Sequence, residues 1–368
     1  MKKIWYVSGL FVLSAGVIAL GYYFRPQNKS SQTYLDNTLS VSNTGGDNTQ
    51  NTLGPQGLSS VFKESVLNFF PYEGGVLGVA SDGKILNTDE KIETILSSTS
   101  VPFSFYASAS RDRSFVLIAW GGAGSPQFRI WSAKKGTWRF LPVGATSPTF
   151  SPQTHEVAYI ENSPGGSRFS ILNLDSAASR GKIITTLPLE DINISWISTG
   201  QIAVSEKGSL PSLSSELIYD LNQKTVSPVV VEKNGLDISW SPSGKMALVL
   251  LGKARGGSMA LINNSGEILQ NLSLLTLPEK CSWSGDQKLF CAIPQNPNVL
   301  KTDLPDSFYK RSFFADDNFY EINAQNGDVA PILENSAGLD AASLKVFGGK
   351  VWFINRLDGK LYSLPIPV

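Results

Sequence analysis

The feature that most constrains this chain is a sequence pattern that recurs with a period in the forties. Residues 238–250 read ISWSPSGKMALVL, in which an alternating run, a Ser-Pro-Ser-Gly turn and a second apolar run indicate a β-hairpin with one buried face. Related copies carry an aromatic anchor at the equivalent place. The anchors Phe150, Trp196, Trp240 and Trp283 lie 46, 44 and 43 residues apart.

A second hairpin follows each of these copies at a steady offset. Residues 260–272 and 320–333 are examples, and most of these hairpins carry Gly, Asn or Asp at the turn, where a positive φ is needed. Each repeat therefore supplies four strands, which we label a to d. A period of this length built from strands is typical of a β-propeller, with one four-stranded blade per repeat.

The segment WSPSGKMALVL, within residues 238–250, resembles the repeat of TolB-type, WD-like β-propellers, whose core is W/F-S-P-D-G-K followed by an apolar strand. The copy at 149–160 keeps the Ser-Pro pair, the copy at 194–204 lacks the Pro, and the copy at 281–293 lacks the Pro and has a different turn. The resemblance covers about 300 residues. It implies the fold alone, since such repeats occur in proteins of many functions.

The period also predicts the number of blades. Residues 67–368, divided by a period of 43, give close to seven blades. Six is the alternative, if residues 67–96 and 342–366 are parts of one composite blade. The last repeat lacks a strand d, and we expect Ser59–Ser65 to supply it, because a ring closed in this way has no open sheet edge.

The N-terminal part of the chain has a different composition. Ile4–Phe24 is a run of 21 residues without charge, preceded by two lysines and followed by Arg25. That length predicts a membrane-spanning anchor over residues 1–25, with the N-terminus cytoplasmic and the rest of the chain outside the cytoplasm. A cleaved signal peptide is the alternative. Residues 26–60 are polar and predict a flexible linker or a glycosylated stalk, and the propeller is expected over 61–368.

The charge balance limits the classes of partner. The chain has 31 basic and 31 acidic residues, so its formal net charge is zero. A general nucleic-acid or anionic-lipid binder would show a basic patch, and we therefore expect no nucleic-acid partner. With one His and two Cys, no metal site is expected either.

The two cysteines flank the hairpin of the sixth repeat. If Trp283 pairs with Leu289, then Cys281 and Cys291 lie opposite one another on the same face. Directly opposed residues of an antiparallel pair have a Cα separation that a disulfide accepts. Outside the cytoplasm we expect the disulfide, and the alternative is two small hydrophobic residues in a core.

Other polar residues have less specific patterns. His155 lies in a predicted a–b turn beside Glu156, without the pattern of a catalytic triad, and is expected to be a solvated turn residue. The pairs Asp303/Asp306 and Asp316/Asp317 could bind Ca²⁺ or act as paired acids. Because they lack the spacing of a calcium loop, we expect them to be solvated.

Loop lengths predict where a partner binds. The a–b turns are expected to be short and the b–c connections long, which places the long loops on the face where strand a begins. The predicted b–c connections are residues 121–127, 161–168, 206–215, 252–258 and 294–317. The last of these contains the candidate partner-binding residues Phe308, Tyr309, Lys310, Arg311 and Phe313, since aromatics with Arg are usual interface anchors. The alternative is a small core beneath their own loop.

These patterns predict an all-β, seven-bladed propeller that is anchored to the membrane and acts as a non-catalytic binding or assembly module. Its unidentified protein partner is expected on the b–c face. We expect no catalytic residue and no cofactor. The alternative is a propeller-type hydrolase or lyase acting on cell-surface glycans. That activity would need acids, His or Tyr clustered around the central channel, and the predicted strand a starts offer mostly Ser, Thr, Asn and Ile.

Overall fold

The structure is a computed structural model that describes residues 58–122, 125–176, 179–206 and 209–367. The predicted anchor at residues 4–24 and most of the predicted linker lie outside these residues. Within the described part of the chain, no helix is long and apolar enough to cross a membrane.

Seven antiparallel sheets follow one another along the chain, and each takes its strands in sequence order. The first four blades consist of β1 (Val66–Tyr72), β2 (Gly75–Ala80), β3 (Ile85–Thr88) and β4 (Glu93–Ser97); β5 (Ser104–Ala109), β6 (Phe115–Gly122), β7 (Ser125–Ser132) and β8 (Thr137–Phe140); β9 (Ala145–Phe150), β10 (Glu156–Ser163), β11 (Gly166–Asn173) and β12 (Lys182–Leu187); and β13 (Ile192–Ser198), β14 (Gln201–Glu206), β15 (Leu213–Asp220) and β16 (Thr225–Asn234).

The other three blades contain eleven strands and the short helix α1. They consist of β17 (Leu236–Trp240), β18 (Met246–Lys253), β19 (Gly256–Asn263) and β20 (Ile268–Leu272); β21 (Cys281–Ser284), β22 (Lys288–Pro294), α1 (Asp306–Tyr309), β23 (Asp317–Asn323) and β24 (Val329–Leu333); and β25 (Ala341–Phe347), β26 (Lys350–Asn355) and β27 (Leu361–Pro365). The seven-bladed propeller is confirmed, and the six-bladed alternative is wrong.

The hydrophobic core is divided among the contacts between blades. Among the described residues, seven clusters of buried side chains occur, and each joins two neighbouring blades, including blade 7 to blade 1. Strand b of a blade packs against both neighbours, so its residues are apolar on both faces. In β18 the four residues from Ala247 to Leu250 are all buried. The continuous apolar runs that follow each turn in the sequence arise from this two-sided burial.

The ring closes differently from the sequence-based prediction. Blade 7 has three strands, and the segment Ser59–Ser65 does not form a fourth. Isolated hydrogen bonds, rather than a ladder, connect this segment to blade 7, such as the one that Val61 N donates to Leu361 O at 2.8 Å. Phe62 is 1% exposed and lies in the cluster between blades 1 and 7. The closure therefore depends on a buried aromatic side chain rather than on a strand ladder.

The predicted long b–c connections are wrong in blades 3 and 5, where strands b and c continue in register to two-residue turns. In blade 2 the strands continue to residues 122 and 125. The sequence there is rich in Gly, Ser and Asn, which resembles a loop, but the backbone groups pair across the hairpin instead of with water. Longer b–c connections remain in blade 4, between residues 206 and 213, and above all in blade 6, between 294 and 317.

Candidate functional site

The long b–c connection of blade 6, residues 295–316, lies across the b–c face; we call it the insertion. The Leu210 amide of blade 4 donates to Asp306 Oδ2 at 2.8 Å, and the Gly256 amide of blade 5 donates to Thr302 O at 3.0 Å. At Gly252, an added Cβ would lie 1.8 Å from Leu304 O. The insertion backbone therefore packs on blade 5 so closely that only glycine fits beneath it.

Phe308, one of the predicted partner-binding residues, is buried in the structure. Its side chain is 4% exposed and belongs to the cluster between blades 5 and 6. The guanidinium of Arg356, from blade 7, lies 4.0 Å from the centre of the Phe308 ring, and Arg356 Nη2 donates to Phe308 O at 3.1 Å. Phe313 is partly buried against the same cluster. The Phe308 ring is therefore not available to a partner, and the Phe313 ring is available only in part.

The other three predicted partner-binding residues are exposed. Tyr309 is 55% exposed and follows Phe308 at the end of α1. Lys310 pairs with Asp306 at 3.4 Å, and Arg311 adopts a positive φ of 54° at the exposed end of this turn. The structure therefore divides the predicted group into a buried part and a part that faces the solvent.

A buried ion network holds the base of the insertion to blade 7. Lys280 Nζ lies 2.7 Å from Asp317 Oδ2 and 2.8 Å from Asp340 Oδ1, and Arg356 Nη1 donates to Asp340 Oδ2 at 2.8 Å. The two carboxylates and two cations balance in charge, which is the arrangement that a dry interior tolerates. The prediction of a solvated Asp317 is wrong, because residue 317 begins β23 and is 0% exposed.

The other three aspartates proposed for a calcium site or paired acids lie on the insertion and remain at least partly exposed. Asp306 Oδ2 and Asp316 Oδ1 accept hydrogen bonds from the Leu210 and Gly338 amides. Their carboxylates therefore cap backbone groups. No group of three or more His, Cys, Asp or Glu residues suited to a metal ion occurs in the described ranges.

A cavity of about 460 Å³ opens where the first strands of several blades begin, and we call it the mouth pocket. Its charged and aromatic lining comes from β5, β17, β25, the turn before β21 and the insertion: Phe105, Tyr106, Asp237, Glu279, Tyr309 and Lys345. Strand a of every blade begins on the b–c face. The topology therefore brings these separated residues to one place.

The two carboxylates of the mouth pocket accept hydrogen bonds from neutral hydroxyls. Tyr309 donates to Asp237 Oδ2 at 2.9 Å, and Ser343 Oγ donates to Glu279 Oε1 at 2.9 Å. Burial raises the pKa of Asp237 to about 6 and also raises the pKa of Glu279, in part offset by these hydrogen bonds. Both groups therefore favour their protonated form more than a carboxyl in water does.

Lys345 also lines the mouth pocket, but its ammonium is directed toward blade 1. Lys345 Nζ donates to Asn68 Oδ1 and to Phe69 O, and it lies 4.3 Å from the centre of the Phe70 ring. Burial lowers the pKa of Lys345 to about 7, although the charge of Glu279 acts in the opposite direction.

A second cavity, of about 680 Å³, lies on the other side of Tyr309 and Asp237, and we call it the side pocket. Glu216 of β15 lies in its wall with 0% exposure, accepting from Trp240 Nε1 at 2.8 Å and from Ser205 Oγ. Burial raises the pKa of Glu216. The hydrogen bond between Tyr309 and Asp237 thus stands between two neighbouring cavities.

Cys281 and Cys291 lie opposite one another in the register of β21 and β22, with Cα atoms 4.1 Å apart, and they form a disulfide in the structure. Cys281 also contributes to the wall of the mouth pocket. The disulfide therefore links the innermost two strands of blade 6 directly below the insertion.

His155 has partners that the sequence-based prediction did not identify. Its Nδ1 lies 2.7 Å from Asp175 Oδ1, and its Nε2 lies 2.8 Å from Asp112 Oδ2 in blade 2. Hydrogen bonds to Asp175 and then Asp112 raise the pKa of His155. His155 lies in the a–b turn of blade 3 with its side chain 36% exposed, as predicted, and in addition it links two carboxylates across a blade boundary.

Sequence reasoning also missed the charged residues of the mouth pocket. Asp237 and Glu279 lie three and four residues before the anchors Trp240 and Trp283. A charged residue just before a tryptophan anchor could have predicted these two, because strand a begins near that position and the pocket lies where the first strands begin. Lys345 had no such signal, because the last repeat has no tryptophan anchor.

Comparisons with known proteins agree on the fold. No family model and no curated protein matches the chain. Among solved structures, the chain is similar to an oligogalacturonate lyase in complex with manganese, with a TM-score of 0.53, 11% identity, and coverage of 84% of this chain and 89% of that one. It is similar to the tricorn protease, with a TM-score of 0.52 and 10% identity, over 82% of this chain but only 33% of that one.

TolB from Acinetobacter baumannii is also similar, with a TM-score of 0.44, 15% identity, and coverage of 74% of this chain and 67% of TolB. These identities are low enough to show the fold alone. The chain therefore has a β-propeller fold, and its resemblance to TolB-type propellers is a resemblance of fold.

Proposed function

We propose that the propeller is a non-catalytic binding module that takes a partner protein on its b–c face, and that residues 4–24 anchor it to a membrane with the propeller outside the cytoplasm. The observation that carries the proposal is the position of the exposed aromatic side chains. Five of the six large aromatics exposed in the described residues lie on the b–c face: Phe103, Phe105, Tyr106, Tyr309 and Phe314.

Such a concentration of exposed aromatics is unusual for a surface that meets only water. Isolated exposed hydrophobic residues are common, whereas a group of them on one face is typical of an interaction site. Aromatic side chains also supply much of the binding energy at protein interfaces. Phe103 is the most exposed of the five, at 84%, and it adopts a positive φ of 59°. A bulky residue at such a φ is an outlier, which supports a role other than stability.

Phe103 gives a test that separates binding from folding. Phe103→Gly removes the ring and relieves the left-handed backbone, a gain of about 1–2 kcal/mol that the flexibility of glycine in the unfolded chain largely offsets. The melting temperature should therefore change little, while capture of the partner from solubilised membranes should fall strongly. Ile268→Ala is the matched control, since Ile268 is 63% exposed at the opposite end of a blade. Equal capture by Phe103→Gly and by the unaltered protein would contradict the proposal.

The mouth pocket supports a second candidate function, a hydrolase or lyase acting on cell-surface glycans. The predicted strand a starts offer mostly uncharged residues, whereas the structure brings Asp237, Glu279, Tyr309 and Lys345 to one cavity. An enzyme of this kind needs acids and bases with shifted pKa values, and both carboxylates have them. The discriminating assay measures chain cleavage of cell-surface polysaccharides by the protein and by Glu279→Gln. Cleavage that this substitution abolishes would favour the enzyme over the binding module.

A further inference from the structure

The mouth pocket combines an aromatic rim with carboxylates in its wall. Phe105, Tyr106 and Tyr309 are 50%, 42% and 55% exposed, and all three line the cavity together with Asp237 and Glu279. Aromatic rings attract cations to their electron-rich faces through the ring quadrupole, and carboxylates attract cations through their negative charge. The two kinds of group therefore favour the same type of ligand.

The two carboxylates of this cavity, which are partly exposed, differ from the buried carboxylates of Asp317 and Asp340. Asp317 and Asp340 each have a cation within 2.8 Å. None of the ion pairs within 4.0 Å in the described ranges involves Asp237 or Glu279. Their side-chain hydrogen bonds come from the hydroxyls of Tyr309 and Ser343, so neither carboxylate has a cation in direct contact, although the charge of Lys345 acts on Glu279 from a greater distance.

The other charged residues around the two pockets also favour a cationic ligand. Lys345 is the cation in the wall of the mouth pocket, and its donors are directed to Asn68 and Phe69 of blade 1. The adjoining side pocket adds three carboxylates and one lysine: Glu206, Glu216, Asp306 and Lys310. The b–c face therefore has a local excess of acids at its centre, although the whole chain is neutral.

We propose, as an extension of the proposed function, that the mouth pocket receives a Lys or Arg side chain of the partner protein. The alkyl or guanidinium part of that side chain packs against Phe105, Tyr106 and Tyr309, and the charged end reaches Asp237 and Glu279. The exposed aromatics outside the pocket, Phe103 above all, then form the surrounding contact surface. Such a group supplies the direct ion pair that neither carboxylate forms within the described residues.

Short peptides test this directly in the full chain. The probes are acetylated and amidated pentapeptides with Arg, Lys, citrulline, norleucine or Glu between glycines, titrated up to millimolar concentration and followed by calorimetry or saturation-transfer NMR. Citrulline and norleucine match the shapes of Arg and Lys without the charge. The Arg and Lys peptides should bind at least about tenfold more tightly than these neutral peptides, because a desolvated charge pair is lost in the latter.

Substitutions locate the site. Glu279→Gln and Asp237→Asn keep the size of the side chain and should each weaken binding of the Arg peptide at least about tenfold. Asp328→Asn, in the c–d turn at the opposite end of blade 6, should leave it unchanged. Equal binding of the Arg and citrulline peptides, stronger binding of the Glu peptide, or full binding to Glu279→Gln would each overturn the inference.

The peptide experiments and the Phe103→Gly capture experiment distinguish a failure of this inference from a failure of the proposed function. If Phe103→Gly loses the partner while basic peptides fail to bind, the binding face stands and the basic side chain is rejected. If basic peptides bind through Glu279 while Phe103→Gly retains the partner, the pocket takes a cation from another source, and the inference about this partner is overturned.

Discussion

Phe308→Ala distinguishes a core role for the insertion from an interface role. Phe308 is 4% exposed, so truncation leaves a cavity in the cluster between blades 5 and 6. Large-to-small changes of a buried Phe cost about 3–5 kcal/mol, and loss of the stacked Arg356 guanidinium at 4.0 Å adds to that cost. For a domain of this size, the melting temperature should fall by about 2 °C per kcal/mol, which gives about 6–10 °C.

Thermal unfolding of the full chain, followed by circular dichroism, measures this effect. Phe314→Ala is the matched control, because it removes an aromatic from the same insertion at 45% exposure and should change the stability by less than about 0.5 kcal/mol. A Phe308→Ala variant that melts with the unaltered protein would refute the core assignment. It would also return Phe308 to the candidate binding residues.

Four further outcomes are expected. Gly252→Ala should shift the insertion off blade 5 and lower both thermal stability and peptide binding, since its Cβ meets the insertion backbone at 1.8 Å; calorimetry measures both. Reducing the disulfide between Cys281 and Cys291 should lower the free energy of unfolding by about 2–3 kcal/mol, because the bond closes a short loop, and urea titration with and without reductant checks this. The pKa of Asp237 is raised to about 6, so its protonation favours the folded state at low pH, and this stabilisation is lost as the pH rises from about 4 through 6; Asp237→Asn should flatten that part of the stability profile. If residues 4–24 anchor the chain as proposed, protease added outside the cytoplasmic membrane should release a fragment of about 300 residues, and complete protection would contradict the anchor.

The fold was predictable because its signal is local and repeated. The alternating strands, the turn residues and the anchors Trp196, Trp240 and Trp283 lie within single hairpins, and their spacing gives the number of blades. Strand ends were less predictable. Gly and Ser near residues 121–127 and 252–258 resemble a loop, and the continued pairing of strands b and c depends on the partner strand rather than on composition.

The site was less predictable because its residues meet through packing between blades. The burial of Phe308 depends on Arg356, which is 48 positions away in the sequence. The partners of His155 illustrate a signal that could have been used, since Asp112 lies 43 positions earlier, which is one repeat. Residues one period apart occupy equivalent places in adjacent blades, so a charge pair at that spacing predicts a contact between blades.

The proposed function requires above all that the b–c face is the surface that contacts a partner. A photo-activated amino acid tests this in intact cells when it is placed at Phe103, on the b–c face, and separately at Ile268, on the opposite face of the propeller at the start of β20 in blade 5. Both side chains are well exposed, at 84% and 63%, so access does not differ greatly between them. We expect a specific crosslinked product from position 103 that position 268 does not give. The same product from position 268, with none from position 103, would contradict the account.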